Sequence, residues 1–143
     1  MATLPDTISS KFLEVLKAIQ DLSNVSIIRA GDNSEDRGPY IIVLDVTDEG
    51  GYDGIPGGIL ENARCSVALL AHTTDDPSGT VTDTIKSTLS SALWSLQSTV
   101  GSEPIGDWII RYISPWTEGP ISLDGSYRRI QFQASLILQN KDL

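Results

Sequence analysis

Cysteine and histidine are nearly missing from this sequence, which holds only Cys65 and His72. A single cysteine excludes an intrachain disulfide, and the two residues cannot by themselves form a four-ligand structural zinc site. Cys65 lies inside an apolar run, so we interpret it as a small buried side chain and not as a reactive thiol. An odd number of positions separates it from His72, and in one strand this predicts side chains on opposite faces that share no metal.

Basic residues are also scarce, with ten Lys and Arg against nineteen Asp and Glu, for a formal net charge of −9. A surface of this sign repels nucleic acid phosphates, so a nucleic-acid-binding protein is not predicted. The same charge is compatible with a protein past which DNA moves without binding to it.

Long hydrophobic runs are absent, and the first residues lack the basic and apolar regions of a signal peptide. We therefore expect a soluble, intracellular chain. Its 143 residues, 40% of them hydrophobic, are enough for one domain, residues 1–143, with its own core.

Sequence motifs for catalysis are missing as well. There is no Gly-x-Ser-x-Gly elbow, no Gly-x-Gly-x-x-Gly loop and no Gly-Lys-Ser/Thr phosphate loop. The acidic residues Asp48, Glu49 and Asp53 do not follow the calcium-binding EF-hand pattern. His72 precedes Asp75 and Asp76 in a segment that reads as an ordinary turn. We predict that the chain is not an enzyme and has no catalytic residues, no metal and no cofactor.

A strand, a turn and a helix from Ala63 to Val100 are predicted to form the centre of the fold. The apolar run Ala63–His72 predicts the strand, and the helix follows from apolar residues recurring every three or four positions between Val81 and Val100. Thr80 to Asp83 predicts a capping box at the helix start, and Gly101 predicts its end. An earlier helix is predicted from a cap at Asp6 or Thr7 to Leu22.

Four further strands are predicted, and a long Gly-rich loop is expected at 47–62. The strands are Val25–Ala30, Tyr40–Val46, Asp107–Ser114 and Tyr127–Gln139, the last alternating most regularly between apolar and polar residues. A loop is expected at 116–126. The order α-β-β-β-α-β-β predicts an α+β fold, in which a mostly antiparallel sheet carries both helices on one face.

A subunit interface is the one functional surface that the residues suggest. The helix face opposite the apolar stripe carries small serines and Trp94 where Lys and Glu are usual, and an exposed Trp is a frequent interface anchor. Alternatively, Trp94 packs under the Gly-rich loop of its own chain, and the same question applies to Trp108 and Trp116. The candidate interface residues are Trp94, Ser87, Ser90, Ser91, Tyr52, Ile55, Ile59, Arg111, Arg128 and Arg129.

The order of elements resembles the tail terminator (tail-completion, minor tail) proteins of long-tailed bacteriophages. The features in register are a leading amphipathic helix, the Pro39-Tyr40 strand entry, a Gly-rich acidic loop, the strand Arg64–His72 with its Thr/Asp/Pro turn, the helix Val81–Val100, a strand with Trp108 and Tyr112, and the alternating strand from Tyr127. They extend over most of the chain but include no sharp motif.

The resemblance implies a virion structural protein at the top of the tail. Such proteins form a six-membered ring that caps the tail tube, stops its polymerisation and provides a joining surface for the head or neck. The implied partners are other copies of the chain, the tail tube protein and the connector or neck proteins, with DNA passing through the lumen. Arg111, Arg128 and Arg129 depart from a uniformly acidic ring. The alternatives are a neighbouring neck or connector subunit, or a small α+β ligand-binding or regulatory module.

Overall fold

The computed structural model describes residues 3–31, 39–51, 60–101 and 103–141. Within these residues the chain forms two α-helices and a seven-stranded, mostly antiparallel sheet. The elements are α1 Leu4–Lys17, β1 Ser26–Arg29, β2 Tyr40–Gly51, β3 Leu60–His72, α2 Thr80–Ser95, β4 Trp108–Ile113, β5 Thr117–Glu118, β6 Ser122–Asp124 and β7 Tyr127–Asn140. The predicted α+β class and the order α-β-β-β-α-β-β are confirmed, and β5 and β6 are short additional strands within the expected loop at 116–126.

The strands lie side by side in the order β1-β2-β3-β7-β4. β1 is parallel to β2, and every other pairing among the described strands is antiparallel. β3 and β7 pair without a shift from Leu60 opposite Gln139 to His72 opposite Tyr127. These two strands therefore form the centre of the sheet, and the first of them contains the strand Ala63–His72 that was predicted at the centre of the fold.

β4, β5 and β6 act as one interrupted strand along the outer edge of β7. Their pairing with β7 shifts by one residue within β4, again before β5 and again before β6. A two-residue turn with Gly125 at φ +63° then joins β6 to β7. The result is one long hairpin whose outer strand is broken by three irregularities, a common way for an exposed sheet edge to avoid regular pairing with other chains.

Both helices pack on the same face of the sheet. Phe12 of α1 and Leu93 of α2 are fully buried in one core with the inward residues of the strands. The inward residues of β7 are all buried, as its alternation predicted: Ile130, Phe132, Ala134, Leu136 and Leu138. The other face of the described sheet carries no helix, and along β7 it presents polar side chains such as Gln131 and Gln133.

The first helix begins and ends earlier than predicted. Thr3 is the N-cap, and its hydroxyl oxygen accepts a hydrogen bond from the Asp6 backbone N–H at 3.2 Å. Pro5 fits the first turn because its missing N–H has no helical acceptor there. Asp6 instead forms an ion pair with Arg29 of β1, whose hydrogen bond lowers the pKa of the carboxyl group. α1 ends at Lys17, and Leu22 lies in a separate 3-10 turn, Gln20–Leu22.

The second helix also differs from its prediction at both ends. Its N-cap is Gly79 in the left-handed region at φ +80°, and no capping box forms at Thr80. Val81, assigned to the apolar stripe, is 45% exposed, while Thr82 is buried in its place. The α-helix ends at Ser95 and continues as a 3-10 helix, Leu96–Thr99.

The Gly-rich segment is partly strand. β2 continues to Gly51 and β3 begins at Leu60, so both ends of the predicted loop at 47–62 belong to the sheet. Gly50 has φ +95° at a register shift, and its N–H donates to Asp48 Oδ1 at 2.9 Å. This bulge lets β2 continue through a glycine in a segment that the sequence predicted to be a loop.

Candidate subunit interface

The outer face of α2 is exposed and nearly free of charge. Leu89 and Leu93 on one side of the helix are buried in the core. Trp94 lies on the other side, with 51% of its surface exposed. Ser91 and Ser87 are exposed beside it, one and two helical turns earlier, whereas Ser90 lies half-buried on the flank. The structure thus brings together three of the four α2 residues predicted for the interface.

Several hydroxyl groups of α2 and of its 3-10 continuation bond to the helix itself. Thr84 and Thr88 each donate to the carbonyl oxygen four residues earlier at 3.2 Å, while Ser95 and Ser98 donate to carbonyls three residues earlier. A hydroxyl that already donates within its helix loses less when water is removed from it. These four hydroxyl groups can therefore be covered by another protein surface at a small desolvation cost.

A groove of about 390 Å³ runs along one side of this face. It separates α2 from the 3-10 turn that follows α1. Its lining residues are Ile19, Asp21, Ser87, Thr88, Ser91, Ala92 and Ser95. Ile19 and Ala92 give it an apolar base, and Asp21 is its one acidic residue. We call this feature the α2 groove.

The end of the long hairpin is a second exposed apolar surface. Leu123 on β6 exposes 74% of its surface and the preceding Ile121 exposes 57%. Tyr112 on β4 lies further along the same edge and is 47% exposed. We call Ile121 and Leu123 the hairpin tip. In the sequence, the signal for this surface is an apolar pair within a polar Gly/Pro segment, and the candidate interface residues predicted from the sequence do not include it.

Arg128 and Arg111 make hydrogen bonds within the chain that limit an interface role. The Arg128 guanidinium is half-buried and donates to the backbone carbonyl oxygens of Asp76 and Pro77, which fixes the turn before α2. Arg111 Nε donates to Gln139 Oε1 at 2.8 Å across β4 and β7, and its side chain lies on the exposed edge. Arg129 is half-buried and lies in register with Ser122 of β6.

The other predicted residues are distributed as follows. Tyr52, Ile55 and Ile59 lie outside the described residues. Trp108 and Trp116 are half-buried and pack against the core of their own chain. Trp94 is therefore the most exposed of the three tryptophans.

The turn after β3 has a structural role. Asp76 Oδ2 accepts hydrogen bonds from the Thr82 N–H and the Thr82 hydroxyl, both at 2.7 Å. The bonds from Thr82 lower the pKa of the Asp76 carboxyl group, and Asp76 thereby stabilises the start of α2. His72 Nδ1 lies 3.3 Å from Asp75 Oδ2 and near the Thr74 hydroxyl, and its ring packs edge-on against Tyr127.

No cluster of three or more metal-ligating side chains occurs in residues 3–31, 39–51, 60–101 and 103–141. Cys65 is fully buried, and this burial raises the pKa of its thiol. The strand alternation places it on the core side and His72 on the other side, as predicted. Burial, together with Asp48 nearby, raises the pKa of Glu61 at the far end of β3.

No protein-family model matches the sequence, and no curated protein matches it either. No helix in the described part of the chain has the length and apolar character needed to cross a membrane. That the chain is not an enzyme stays a prediction.

Proposed function

We propose that this chain is a virion structural protein that assembles with copies of itself into the ring of a bacteriophage tail terminator. The observation that carries the proposal is the half-exposed Trp94 on an α2 face without Lys or Glu, beside the α2 groove. Large exposed aromatic side chains among small neighbours are typical of interface centres, because the small residues allow close approach of a partner. The element order, on which the family resemblance rests, supports the same function.

The ring would cap the tail tube, stop its polymerisation and join the tail to the head or neck. Its partners would be the tail tube protein and the connector or neck proteins. A net charge of −9 on each subunit supports a lumen through which DNA slides without being held, since acidic walls repel phosphates. The virion is then the place where the protein acts.

Mass and shape of the purified protein test the ring directly. Native mass spectrometry is expected to show six times the 15.4 kDa chain mass, and electron microscopy a closed ring with a central hole. Phage particles assembled without the protein should have tails of abnormal length. Tails of normal length would exclude a terminator and leave the neighbouring neck subunit as the alternative.

The α2 groove also favours a second candidate, a small ligand-binding or regulatory module. Its volume of about 390 Å³ lies in the range of small-molecule pockets. A chain that stays monomeric over a wide concentration range, with a melting temperature that a ligand raises, would support this module over a ring subunit.

A further inference from the structure

We propose that Gln97, Gly101 and Ile105 guard the outer edge of β4 and keep it from pairing with β4 of a second copy. We call these three residues the edge guard. They lie between α2 and β4 in the sequence. The inference goes beyond the proposed ring, because the same guard acts in a chain that stays monomeric.

β4 has the composition of a strand that pairs readily with copies of itself. Its six residues, Trp108–Ile113, are three isoleucines, a tryptophan, a tyrosine and one arginine. β-Branched and aromatic residues favour strands, and short segments of this kind with little charge stack edge to edge with identical segments. β4 ends the strand order β1-β2-β3-β7-β4, so no strand of the described chain lies beside its outer edge. Such an edge needs protection.

The carbonyl groups on this outer edge already accept hydrogen bonds from the edge guard. The donor–acceptor pairs are Ile105 N–H to Trp108 O at 2.7 Å, Gly101 N–H to Ile110 O at 2.8 Å and Gln97 Nε2 to Ile113 O at 3.1 Å. These donors occupy the positions that the N–H groups of a further strand would take. A strand from a second copy therefore gains no hydrogen bond to these carbonyls without first breaking one.

Apolar contacts and a second backbone bond hold the guard against the sheet. Ile105 and the neighbouring Val100 pack against the core. The Trp108 N–H donates back to Ile105 O at 3.0 Å, so this end of the guard is held by a reciprocal pair of bonds. Gly101 has φ +71°, a conformation that favours glycine where the chain turns its N–H to Ile110. Lifting the guard thus exposes apolar surface and breaks these bonds.

Gln97 is the member of the guard that acts through its side chain. It lies half-buried in the 3-10 helix Leu96–Thr99, and its amide carries the same kind of N–H donor as a peptide group. Backbone bonds can follow from the path of the chain alone, whereas the bond to Ile113 requires this residue type. A substitution of Gln97 therefore tests the guard without changing the backbone.

Two single variants loosen the guard at opposite ends. Gln97→Ala removes the side-chain donor, and Ile105→Ser weakens the apolar anchor. Gln133→Ala is the matched control, since Gln133 is exposed on the sheet face away from the helices. Far-UV circular dichroism checks that each variant folds, and either guard variant suffices if the other does not. Amide hydrogen exchange at Gly101 is expected to be about fivefold faster in a guard variant, from the loss of one hydrogen bond, and unchanged in the control.

A cysteine on β4 reports whether the edge then pairs with a second copy. Arg111 is exposed in the middle of β4, and Cys65 is fully buried and does not compete. Antiparallel pairing of two β4 edges brings the two positions 111 within the distance of a disulfide. Under mild oxidation, Gln97→Ala/Arg111→Cys is expected to form covalent dimers about fivefold faster than Arg111→Cys alone or Gln133→Ala/Arg111→Cys.

Three results would overturn the guard. They are unchanged exchange at Gly101 in the guard variants, faster exchange without cross-linking, and cross-linking at equal rates with and without Gln97. The mass of the wild-type oligomer tests the proposed function separately. A monomeric wild type would overturn the ring and leave the guard standing, whereas a ring-forming wild type whose guard variants do not cross-link would do the reverse.

Discussion

At the scale of single residues, the turn between β3 and α2 shows how neighbours of the same type take different roles. Asp75 is exposed, while Asp76 is 4% exposed and binds the N–H and hydroxyl groups of Thr82. Arg128 holds the backbone of the same turn from β7. Asp76 therefore takes the capping role that the sequence assigned to Thr80, because the turn brings a carboxylate to the first free N–H groups of α2.

Replacing Asp76 by Asn should destabilise the fold in a pH-dependent way. The bound carboxylate has a pKa below the ordinary 3.8, so its contribution to stability is complete above that value. It is lost as the pH falls through the lower, folded-state pKa. Thermal unfolding is thus expected to show a melting temperature several degrees lower for Asp76→Asn at pH 7, and a smaller difference near pH 3.

Asp75→Asn is the matched control for this substitution, because Asp75 is exposed in the same turn. It should change the melting temperature at pH 7 much less. An equal effect of the two variants, or an Asp76→Asn effect that stays constant down to pH 3, would contradict the capping role.

At the scale of elements, the long hairpin depends on its turn. Gly125 has φ +63°, a conformation that strains residues with a Cβ, although no neighbouring atom would block one. Gly125→Ala should therefore lower the free energy of unfolding by about 1–2 kcal/mol. Gly119→Ala is the matched control in the same hairpin, since its Cβ would lie 3.6 Å from the Gln131 carbonyl oxygen, an ordinary contact. Urea unfolding measures both, and equal losses would argue against turn strain.

The second helix has two faces whose roles can be separated with adjacent residues. Leu93 is fully buried, and Leu93→Ala should cost about 2–5 kcal/mol of unfolding free energy in the monomer. Trp94 is 51% exposed, so Trp94→Ala should change monomer unfolding little and weaken assembly. Chemical denaturation and native mass spectrometry, run on both variants, give the two readouts. A Trp94→Ala protein with unchanged oligomer mass and a lowered melting temperature would identify Trp94 as a core residue.

At the scale of the whole molecule, the charge of −9 opposes association of identical chains. The Debye length falls from about 30 Å at 0.01 M salt to about 8 Å at 0.15 M, so salt screens this repulsion between subunits. We therefore expect the oligomer to form at lower protein concentration in 0.3 M than in 0.02 M sodium chloride. Sedimentation velocity across a dilution series checks this. Dissociation by added salt would indicate that ion pairs across the interface outweigh the net repulsion.

The sequence by itself determined the layers of this protein. The spacing of apolar residues on two helices and the alternation in β7 predicted which faces are buried, because burial of apolar surface follows the period of each element. It also correctly placed Cys65 and His72 on opposite sides of β3.

Only the tertiary structure decided how distant segments combine. The side chains that cap the two helices are Thr3 and Asp76 and not the residues predicted from the sequence, since a cap depends on how the chain enters the helix and not only on residue type. β4, β5 and β6 became one interrupted strand because β7 provided a continuous partner. The α2 groove exists because Ile19 and Asp21 fold against a helix more than sixty residues away, and Leu123 is exposed because it lies on the outermost strand of the sheet. Periodicity records which side of an element is buried, whereas an interface depends on which elements end up next to one another.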